Sequence, residues 1–255
     1  MSFGKDKKEE KHIVFVVKSV DETTDFWKAM ISGANMAAKE YDVKLTVMGP
    51  DSETEYEEQG EMIKEAVAMK PDAIVLTPAS YTKTTPYAKE IEKAGIELVL
   101  ADSVMEEAMG SCVVATDNIE AGRKMGSYIK EHFSEEVCIG VVGHVKGSST
   151  AIERENGLRE GLGILEKNIT EVVFCDSDYR KAYIVTKHFD AGSLGLCNMG
   201  RIQAVFHQTV SVSIQCFFHC FYLSVFCLDN NHSINMCTHH RHFSQKIIIH
   251  ICGNT

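Results

Sequence analysis

Residues 73–100 read AIVLTPASYTKTTPYAKEIEKAGIELVL, and this segment decides the fold class. An apolar run over 73–77 is followed by Thr85-Pro86, which suits the start of a helix because threonine can cap and proline tolerates the first helical position. Gly95 favours the end of that helix, and a second apolar run follows over 97–100. The pattern therefore predicts one strand–helix–strand unit.

The same alternation runs through the first 189 residues. Short, almost continuous apolar runs are typical of strands buried on both faces. Amphipathic helical spacing lies between most of them, and Asp117 is a candidate cap for one of these helices. Such repetition predicts right-handed crossovers and parallel sheets. We expect an α/β protein with strands at 13–17, 43–48, 73–77, 97–100, 112–115, 137–142 and 169–174.

Ligands of parallel sheets bind in the loops beyond the carboxyl ends of the strands. A dinucleotide fingerprint is absent after the first strand, and the order of lysine and glycine in 143–149 is wrong for a phosphate loop. The first 189 residues show no metal-spaced cluster and no placed nucleophile–base pair, so we expect no enzyme, cofactor or metal site. The candidate ligand loops are 18–25, 49–54, 78–84, 101–110, 143–149 and 176–180.

Several residues in or next to these loops suit a neutral polyol. Phe26 and Trp27 begin the first helix, where aromatic rings can stack on the C–H face of a sugar. Asp102 follows its strand and can accept hydrogen bonds from adjacent hydroxyls. Arg154 can donate with both arms of its guanidinium, and Tyr179 offers another aromatic face. The ordinary structural alternatives are core packing for Phe26 and Trp27, a turn for Asp102 and a solvated helix charge for Arg154.

A series of short motifs follows in order along the chain: IVFVV at 13–17, DFWKAM at 25–30, GA at 33–34, KPDAIVL at 70–76, AGI at 94–96, LADS at 100–103, ATDN at 115–118, AG at 121–122, GSSTAIER at 147–154 and GL at 157–158. Their order resembles that of type I periplasmic solute-binding proteins, which include ribose- and galactose-binding proteins. The resemblance covers residues 11–189 and implies two Rossmann-like α/β lobes, joined by a hinge and closing on a ligand.

The resemblance also implies ligand-binding residues. The aromatic pair of the family matches Phe26 and Trp27, and its strand-end carboxylate matches Asp102. Its cleft arginine matches Arg154, and its later aromatic matches Tyr179. Two positions depart from the family pattern. Lys18 stands where sugar binders often have a small polar residue, and Ser103 stands where ribose-type proteins have an arginine. A lysine in the cleft favours an acidic or phosphorylated sugar as an alternative to a neutral one.

The composition changes at residue 190. The chain has 255 residues and a net charge of −10, an acidic balance that argues against binding to nucleic acid. Residues 190–255 hold only five of its charged side chains but six of its nine cysteines. We therefore expect a polar N-terminal segment (1–10), a first lobe (11–115), the start of a second lobe (116–189) and an atypical tail rich in Cys, His and Phe (190–255).

Three interpretations of the tail are open. Its cysteines and histidines suggest a metal site, but no C-x-x-C pair accompanies them. The uncharged stretch 202–228 suggests a membrane span, but polar residues interrupt it. Translation out of frame after a frameshift accounts at once for the loss of charge, the gain of Cys and His, and the end of the resemblance. We favour the frameshift, which leaves the second lobe incomplete.

The resemblance implies extracytoplasmic binding of a sugar or similar small polar solute for an ABC-type importer, whose membrane permease would be the partner. The ten residues before the first lobe leave no room for the DNA-binding head of a repressor. No apolar signal segment follows Met1, so the expected location, in the periplasm or anchored at the cell surface, rests on resemblance. The alternatives are a receptor module that feeds a membrane sensor and a non-functional truncated or frameshifted relative.

Overall fold

The computed structural model describes residues 10–21, 24–135, 137, 139–188 and 247–251. Helices and parallel strands alternate along most of the first 188 residues, which confirms the α/β fold class. The strands are β1 (His12–Val16), β2 (Lys44–Met48), β3 (Ala73–Leu76), β4 (Glu97–Ala101), β5 (Cys112–Thr116), β6 (Ile139–Gly143), β7 (Ile169–Phe174) and β8 (Ile247–Ile251). The helices are α1 (Asp25–Tyr41), α2 (Tyr56–Ala68), α3 (Thr85–Lys93), α4 (Asn118–His132), α5 (Ser149–Leu162), a 3₁₀ helix (Gly163–Asn168) and α6 (Tyr179–His188).

The first lobe is built on one sheet with the strand order β2-β1-β3-β4-β5-β8. Its first five strands pair in parallel, and β8 joins β5 antiparallel at the edge. Alternate residues of a strand point to opposite faces of the sheet, so β1 contributes side chains to a hydrophobic core on each face. Val14 and Val16 pack with Ile63 of α2 in one core, while Phe15 packs with Trp27 of α1 in the other.

The helix after β3 begins as predicted but is capped differently. It starts at Thr85, yet no side chain caps it, and the Thr85 hydroxyl is buried without a hydrogen-bond partner. The predicted threonine cap is therefore wrong. The Thr84 hydroxyl instead accepts a hydrogen bond from the Ser80 backbone N–H at 3.2 Å. Gly95 follows the helix with a φ of 68°, which glycine adopts without strain.

The second lobe, as far as the structure describes it, pairs β6 with β7 in parallel. Helices α4 and α5 pack against each other through small residues. Each carries two glycines four positions apart, and a Cβ atom added at any of them would collide with the backbone of the other helix. This close approach leaves no space for side chains between the helices. The glycines are Gly122 and Gly126 of α4, and Gly157 and Gly161 of α5.

Asp117 alone separates β5 of the first lobe from α4 of the second. Its carboxylate accepts a hydrogen bond from the Glu120 backbone N–H at 2.9 Å, which confirms it as the helix cap. Two further bonds cross between the lobes: Tyr81 N–H donates to the Gly147 carbonyl at 2.8 Å, and Val104 N–H donates to the Ser149 hydroxyl at 2.9 Å. The lobe boundary at 115/116 stays a prediction, although β5 extends to Thr116.

Most of the tail over 190–255 lies outside the described residues, and β8 is the part within them. The metal, membrane and frameshift interpretations therefore stay open. Among the described helices, none is long and apolar enough to cross a membrane. The same residues contain no cluster of His, Cys, Asp and Glu suited to a metal ion.

Candidate ligand-binding cleft

A cavity of about 630 Å³ runs along the apolar groove between α1 and the first-lobe sheet, lined by residues such as Phe15, Met30 and Leu45. One end of it reaches the carboxyl ends of the first-lobe strands, where they face the second lobe. The polar end is formed by both lobes, so a ligand there would contact both. The polar and charged residues of this end are Lys18, Glu53, Asp102, Thr116, His144, Thr150, Arg154 and Ser177.

Lys18 and Asp102 form a buried ion pair at the floor of the cleft. The Lys18 Nζ lies 2.8 Å from Asp102 Oδ2, and the Lys18 side chain is only 2% exposed. The ammonium also lies 5.9 Å from the centre of the Trp27 ring. Asp102 has a φ of 63°, a left-handed conformation that aspartate tolerates better than most residues. A strained backbone at a strand end is typical of residues held in place for binding.

Gln59 of α2 holds the strand ends beneath this pair. Its buried amide donates to the carbonyls of Val17 and Thr77, at 3.0 and 2.9 Å, and its carbonyl accepts from the Ala79 N–H at 3.0 Å. Val17 directly precedes Lys18 in the chain. One side chain thus fixes the ends of β1 and β3, and with them the backbone that carries the lysine.

Phe26 and Trp27 lie at the same end of the cavity but in different surroundings. Trp27 is 1% exposed and packs in the core with Phe15 and Val17. Its indole N–H donates to Glu53 Oε1 at 2.9 Å. Phe26 is half-buried and meets Trp27 edge-on, with ring centroids 4.8 Å apart. Phe26 therefore has the more accessible ring, and the stacking role of either residue stays a prediction.

Arg154 lies on the second-lobe side of the cleft. The Ser148 hydroxyl accepts from the Ala151 N–H at 3.3 Å and caps α5, which carries Arg154. The Arg154 Nε donates to Asn118 Oδ1 at 2.8 Å, and the Asn118 amide donates to Glu153 at 3.1 Å. These contacts orient the guanidinium, which lines the cavity together with Asp102.

His144 lines the cavity directly after β6. Its Nε2 lies 2.6 Å from the Thr150 hydroxyl and 3.2 Å from that of Ser148. Burial lowers the pKa of His144 well below its usual value, and the positive charges of Arg154 and Lys18 lower it further. The imidazole is therefore neutral at pH 7 and can serve as a hydrogen-bonding group without adding charge to the cleft.

Replacing His144 by glutamine should change how stability depends on pH. An unfolded histidine takes up a proton near pH 6.5, whereas folded His144 resists it. The wild-type protein should therefore lose stability as the pH falls below about 6.5, by up to about 1.4 kcal/mol per pH unit relative to His144→Gln. Urea unfolding of both proteins between pH 8 and pH 5 measures this. A difference that stays constant across that range would contradict the prediction.

Glu53 is a cleft carboxyl that our sequence analysis did not select. Burial raises its pKa, an effect opposed by the charge of Lys18 and by the hydrogen bond from Trp27. The negative charge of Asp102 raises the pKa further, and the polar Ser177 side chain lowers it. Glu53 is thus tied to the first-lobe core through the Trp27 indole and lines the same cavity as Ser177 of the second lobe.

Ser103 and Tyr179 are placed elsewhere. Ser103 is 1% exposed, and its hydroxyl donates to the Pro78 carbonyl at 3.0 Å, so it does not line the cavity. Tyr179 begins α6 and is 55% exposed, also outside the cavity lining. The structure thus brings together five of the seven predicted site residues: Lys18, Phe26, Trp27, Asp102 and Arg154. Their contact with a ligand stays a prediction.

The residues that sequence analysis missed lie in loops it had marked. Glu53, His144 and Ser177 belong to the loops 49–54, 143–149 and 176–180. The position of these loops at strand ends was the available signal. Nothing in the sequence distinguished Glu53 from its polar neighbours.

A family model described as the periplasmic binding protein domain matches residues 13–193. The chain belongs to this family. The match confirms the resemblance on which the fold was predicted. The periplasmic binding protein domain is a binding module, which confirms the prediction that the chain belongs to a class of binding proteins rather than enzymes. Membership also implies a location outside the cytoplasm.

Curated relatives of this periplasmic binding protein domain include two sugar-binding proteins. The D-ribose/D-allose-binding protein of Pseudomonas aeruginosa is 24% identical over 162 residues, which is 60% of this chain and 50% of that protein. The galactofuranose-binding protein YtfQ of Escherichia coli is 28% identical over 142 residues, 53% of this chain and 44% of that protein. The chain thus spans about half the length of these curated relatives.

Solved structures show the same fold. A sugar transporter from Clostridium phytofermentans is 43% identical with a TM-score of 0.68, and the match covers 71% of this chain and 66% of that one. An ABC transporter solute-binding protein from Agrobacterium vitis, solved with bound D-fucose, is 26% identical with a TM-score of 0.62, covering 71% of this chain and 64% of that one.

Proposed function

We propose that the chain binds a neutral sugar or a similar small polyol for an ABC-type importer. The observation that carries the proposal is the buried Lys18–Asp102 pair in a cavity whose second wall holds Arg154. Asp102 already neutralises the Lys18 charge, so the lysine does not by itself call for an acidic or phosphorylated ligand. Arg154 donates to Asn118, and burial raises the pKa of Glu53, so these two groups do not form a comparable pair. The polar end of the cleft therefore offers donors and acceptors while the Lys18 charge is neutralised.

The arrangement suits adjacent hydroxyl groups. Asp102 can accept from one hydroxyl while the remaining N–H groups of Lys18 donate to a neighbouring oxygen. Arg154 can donate from the opposite lobe, and Phe26 offers an apolar ring edge to the sugar. A ligand held by Asp102 and Arg154 links binding to lobe closure, because neither lobe supplies both groups.

Relatives and neighbours support a sugar as the ligand. The two curated relatives described above are named for D-ribose, D-allose and galactofuranose, and the Agrobacterium vitis structure holds D-fucose. By analogy, the chain would deliver its ligand to a membrane permease from the periplasm or the outer cell surface. A receptor module that feeds a membrane sensor remains the second candidate, since both need the same closing cleft.

Isothermal titration of the full chain with a sugar panel tests the proposal. The panel is D-ribose, D-allose, D-fucose, D-arabinose and myo-inositol, with D-glucuronate and D-ribose 5-phosphate as acidic members. We expect at least one neutral member to bind and both acidic members to bind more weakly. Tighter binding of the acidic sugars would reject the proposal that the ligand is neutral. If no member of the panel binds, the proposal that the ligand is a sugar is rejected.

Replacing Arg154 by alanine should weaken binding of the best neutral sugar by about 10- to 100-fold. The loss of a donor to a desolvated ligand oxygen costs about 1–3 kcal/mol. The melting temperature of the ligand-free protein should change little. Arg159→Ala is the matched control, because Arg159 lies on the same helix, pairs with Glu155 at 2.7 Å and does not line the cavity. Equal affinities in the two variants would show that Arg154 is not a ligand residue.

A further inference from the structure

We propose that Thr150 is a specificity-determining residue of the second lobe, whose hydroxyl donates to one hydroxyl oxygen of the sugar, and that His144 is the positioning residue that orients it. The inference rests on the proposed function for the nature of the ligand. The orientation of the Thr150 hydroxyl rests on hydrogen bonds within the protein. Both side chains line the cavity, and His144 Nε2 lies 2.6 Å from Thr150 Oγ1.

Ser148 decides which atoms of this cluster carry the hydrogens. Its hydroxyl donates to the Val145 carbonyl at 3.0 Å, because a carbonyl oxygen can only accept. A hydroxyl has one hydrogen, so the Ser148 oxygen acts as an acceptor toward its other neighbours. It accepts the Ala151 N–H at 3.3 Å, and His144 Nε2 lies 3.2 Å from it. The His144 Nε2 therefore carries a hydrogen and donates.

The Thr150 hydroxyl then keeps its own hydrogen for a ligand. Its oxygen accepts the His144 Nε2–H across the 2.6 Å contact, so its hydrogen points elsewhere. The neighbouring Ser148 Oγ lies 3.3 Å away, which is long for a hydrogen bond between two hydroxyls. An oxygen of a bound sugar, at the usual hydroxyl–hydroxyl distance, would be the better acceptor.

The position of Thr150 on α5 directs this donor toward the ligand. Thr150 and Arg154 are four residues apart on the helix and therefore share a face, and both line the cavity opposite Asp102. A sugar that lacks the matching hydroxyl, or carries it in the opposite configuration, would leave the buried Thr150 hydroxyl without an acceptor. Such a sugar should bind more weakly.

His144 is held in place by its backbone as well as by its ring. Its carbonyl accepts the Asp176 N–H at 2.6 Å, which ties the loop after β6 to the turn after β7. Burial lowers the pKa of His144, so the ring has a single N–H at pH 7. A protonated ring would also carry the Nε2–H. The orientation of Thr150 therefore does not depend on the charge of the imidazole.

Calorimetry with the best-binding neutral sugar of the panel tests the role of Thr150. Thr150→Val keeps the branched shape and removes the hydroxyl, while Ser148 still accepts from His144, so the fold should be kept. We expect Thr150→Val to bind the sugar about 5- to 20-fold more weakly, and Thr150→Ser, which restores the hydroxyl, to bind nearly as well as the wild type.

Thr46→Val is the matched control for Thr150→Val. The Thr46 hydroxyl also lies close to a histidine Nε2, that of His12 at 3.0 Å, but neither residue lines the cavity. Thr46→Val should therefore bind the sugar as the wild type does. Equal affinities of Thr46→Val and Thr150→Val would overturn the proposal.

Monodeoxy analogues of the same sugar test the specificity. The analogue that lacks the contacted hydroxyl should bind the wild type and Thr150→Val with equal affinity, because Thr150 then has no oxygen to donate to. If Thr150→Val weakens the binding of every analogue as much as that of the parent sugar, the role of Thr150 in specificity is rejected.

A double-mutant cycle tests the positioning role of His144. His144→Met removes the Nε2–H donor and should weaken sugar binding about 3- to 10-fold in the wild type. The same change in Thr150→Val should have little effect, because the hydroxyl that His144 orients is already gone. An equal loss in both backgrounds would show that His144 acts independently of Thr150 and would overturn its positioning role.

The tautomer of His144 gives a readout that needs no ligand. Long-range proton–nitrogen correlation spectra distinguish an Nε2–H from an Nδ1–H imidazole, and the signals of His144 are those missing from His144→Gln. We expect the Nε2–H form. The Nδ1–H form would overturn the proposal, because Thr150 would then donate to His144. If the Nε2–H form is found but no sugar binds, the orientation of Thr150 stands and the proposed function fails.

Discussion

Gly157→Ala is expected to destabilise the protein by about 3 kcal/mol or more. The added methyl group would collide with the Ile119 carbonyl oxygen and lie against the backbone of Arg123. Backbone atoms cannot move away as a flexible side chain can, so α4 and α5 would have to separate along their length. Overpacking usually costs about 1–3 kcal/mol. The cost is expected at or above the upper end here, because the whole contact between α4 and α5 is disturbed.

Gly33→Ala is the matched control for this substitution. Gly33 lies inside α1, and a Cβ atom there would meet nothing within 4 Å. Alanine should therefore stabilise the helix by about 0.5–1 kcal/mol through its higher helix propensity. Urea unfolding followed by circular dichroism measures both variants. Similar changes in the two would mean that the close approach of α4 and α5 does not limit stability.

Asp102→Asn is expected to have the second large effect on stability. Asparagine tolerates the left-handed backbone of this position, so the change removes the charge and little else. The Lys18 side chain, which is only 2% exposed, then lacks its carboxylate partner. Removing one member of a buried ion pair costs about 3–5 kcal/mol. Glu53 lies near Lys18 and can offset part of this cost, although it is also bound to the Trp27 indole.

A double variant separates the charge effect from other causes. Lys18→Met combined with Asp102→Asn leaves no unpaired ammonium, so its unfolding free energy should be closer to that of the wild type than to that of Asp102→Asn alone. Thermal and urea unfolding of the three proteins measure this. A double variant as unstable as Asp102→Asn would show that the carboxylate, rather than the unpaired lysine, supports the fold. Sugar binding should be lost in both variants.

The order of strands and helices was predictable because burial on both sides of a parallel sheet leaves a strong apolar pattern. The predicted strand at 169–174 has the bounds of β7, and the other six predicted strands agree within one or two residues, whereas β8 was not predicted. Helix capping was harder to predict, because a threonine next to a helix start has several possible partners. Thr84, one residue before Thr85, is bound by Ser80, and this depends on the path of the preceding loop.

The cleft was predictable only at the level of its loops. Parallel strands end at one edge of their sheet, so residues at these ends were expected to meet, and Lys18, Asp102 and Arg154 line one cavity. The direction of individual side chains was not predictable. Ser103 follows the left-handed Asp102, and its hydroxyl binds the Pro78 carbonyl instead of lining the cleft. Loops lack the fixed periodicity that makes side-chain direction predictable in strands and helices.

The single residue between β5 and α4 has a mechanical consequence. Within the described part of the chain, the lobes are covalently joined at Asp117, whose carboxylate is already engaged at the first turn of α4. Because the glycine contacts join α4 to α5, a rotation about the backbone bonds beside Asp117 would move both helices together as one rigid unit. Arg154, carried on α5, would then move relative to Asp102. We expect the torsions beside Asp117 to contribute to the opening of the cleft together with the second connection, because the chain returns from α6 to β8 in the first sheet.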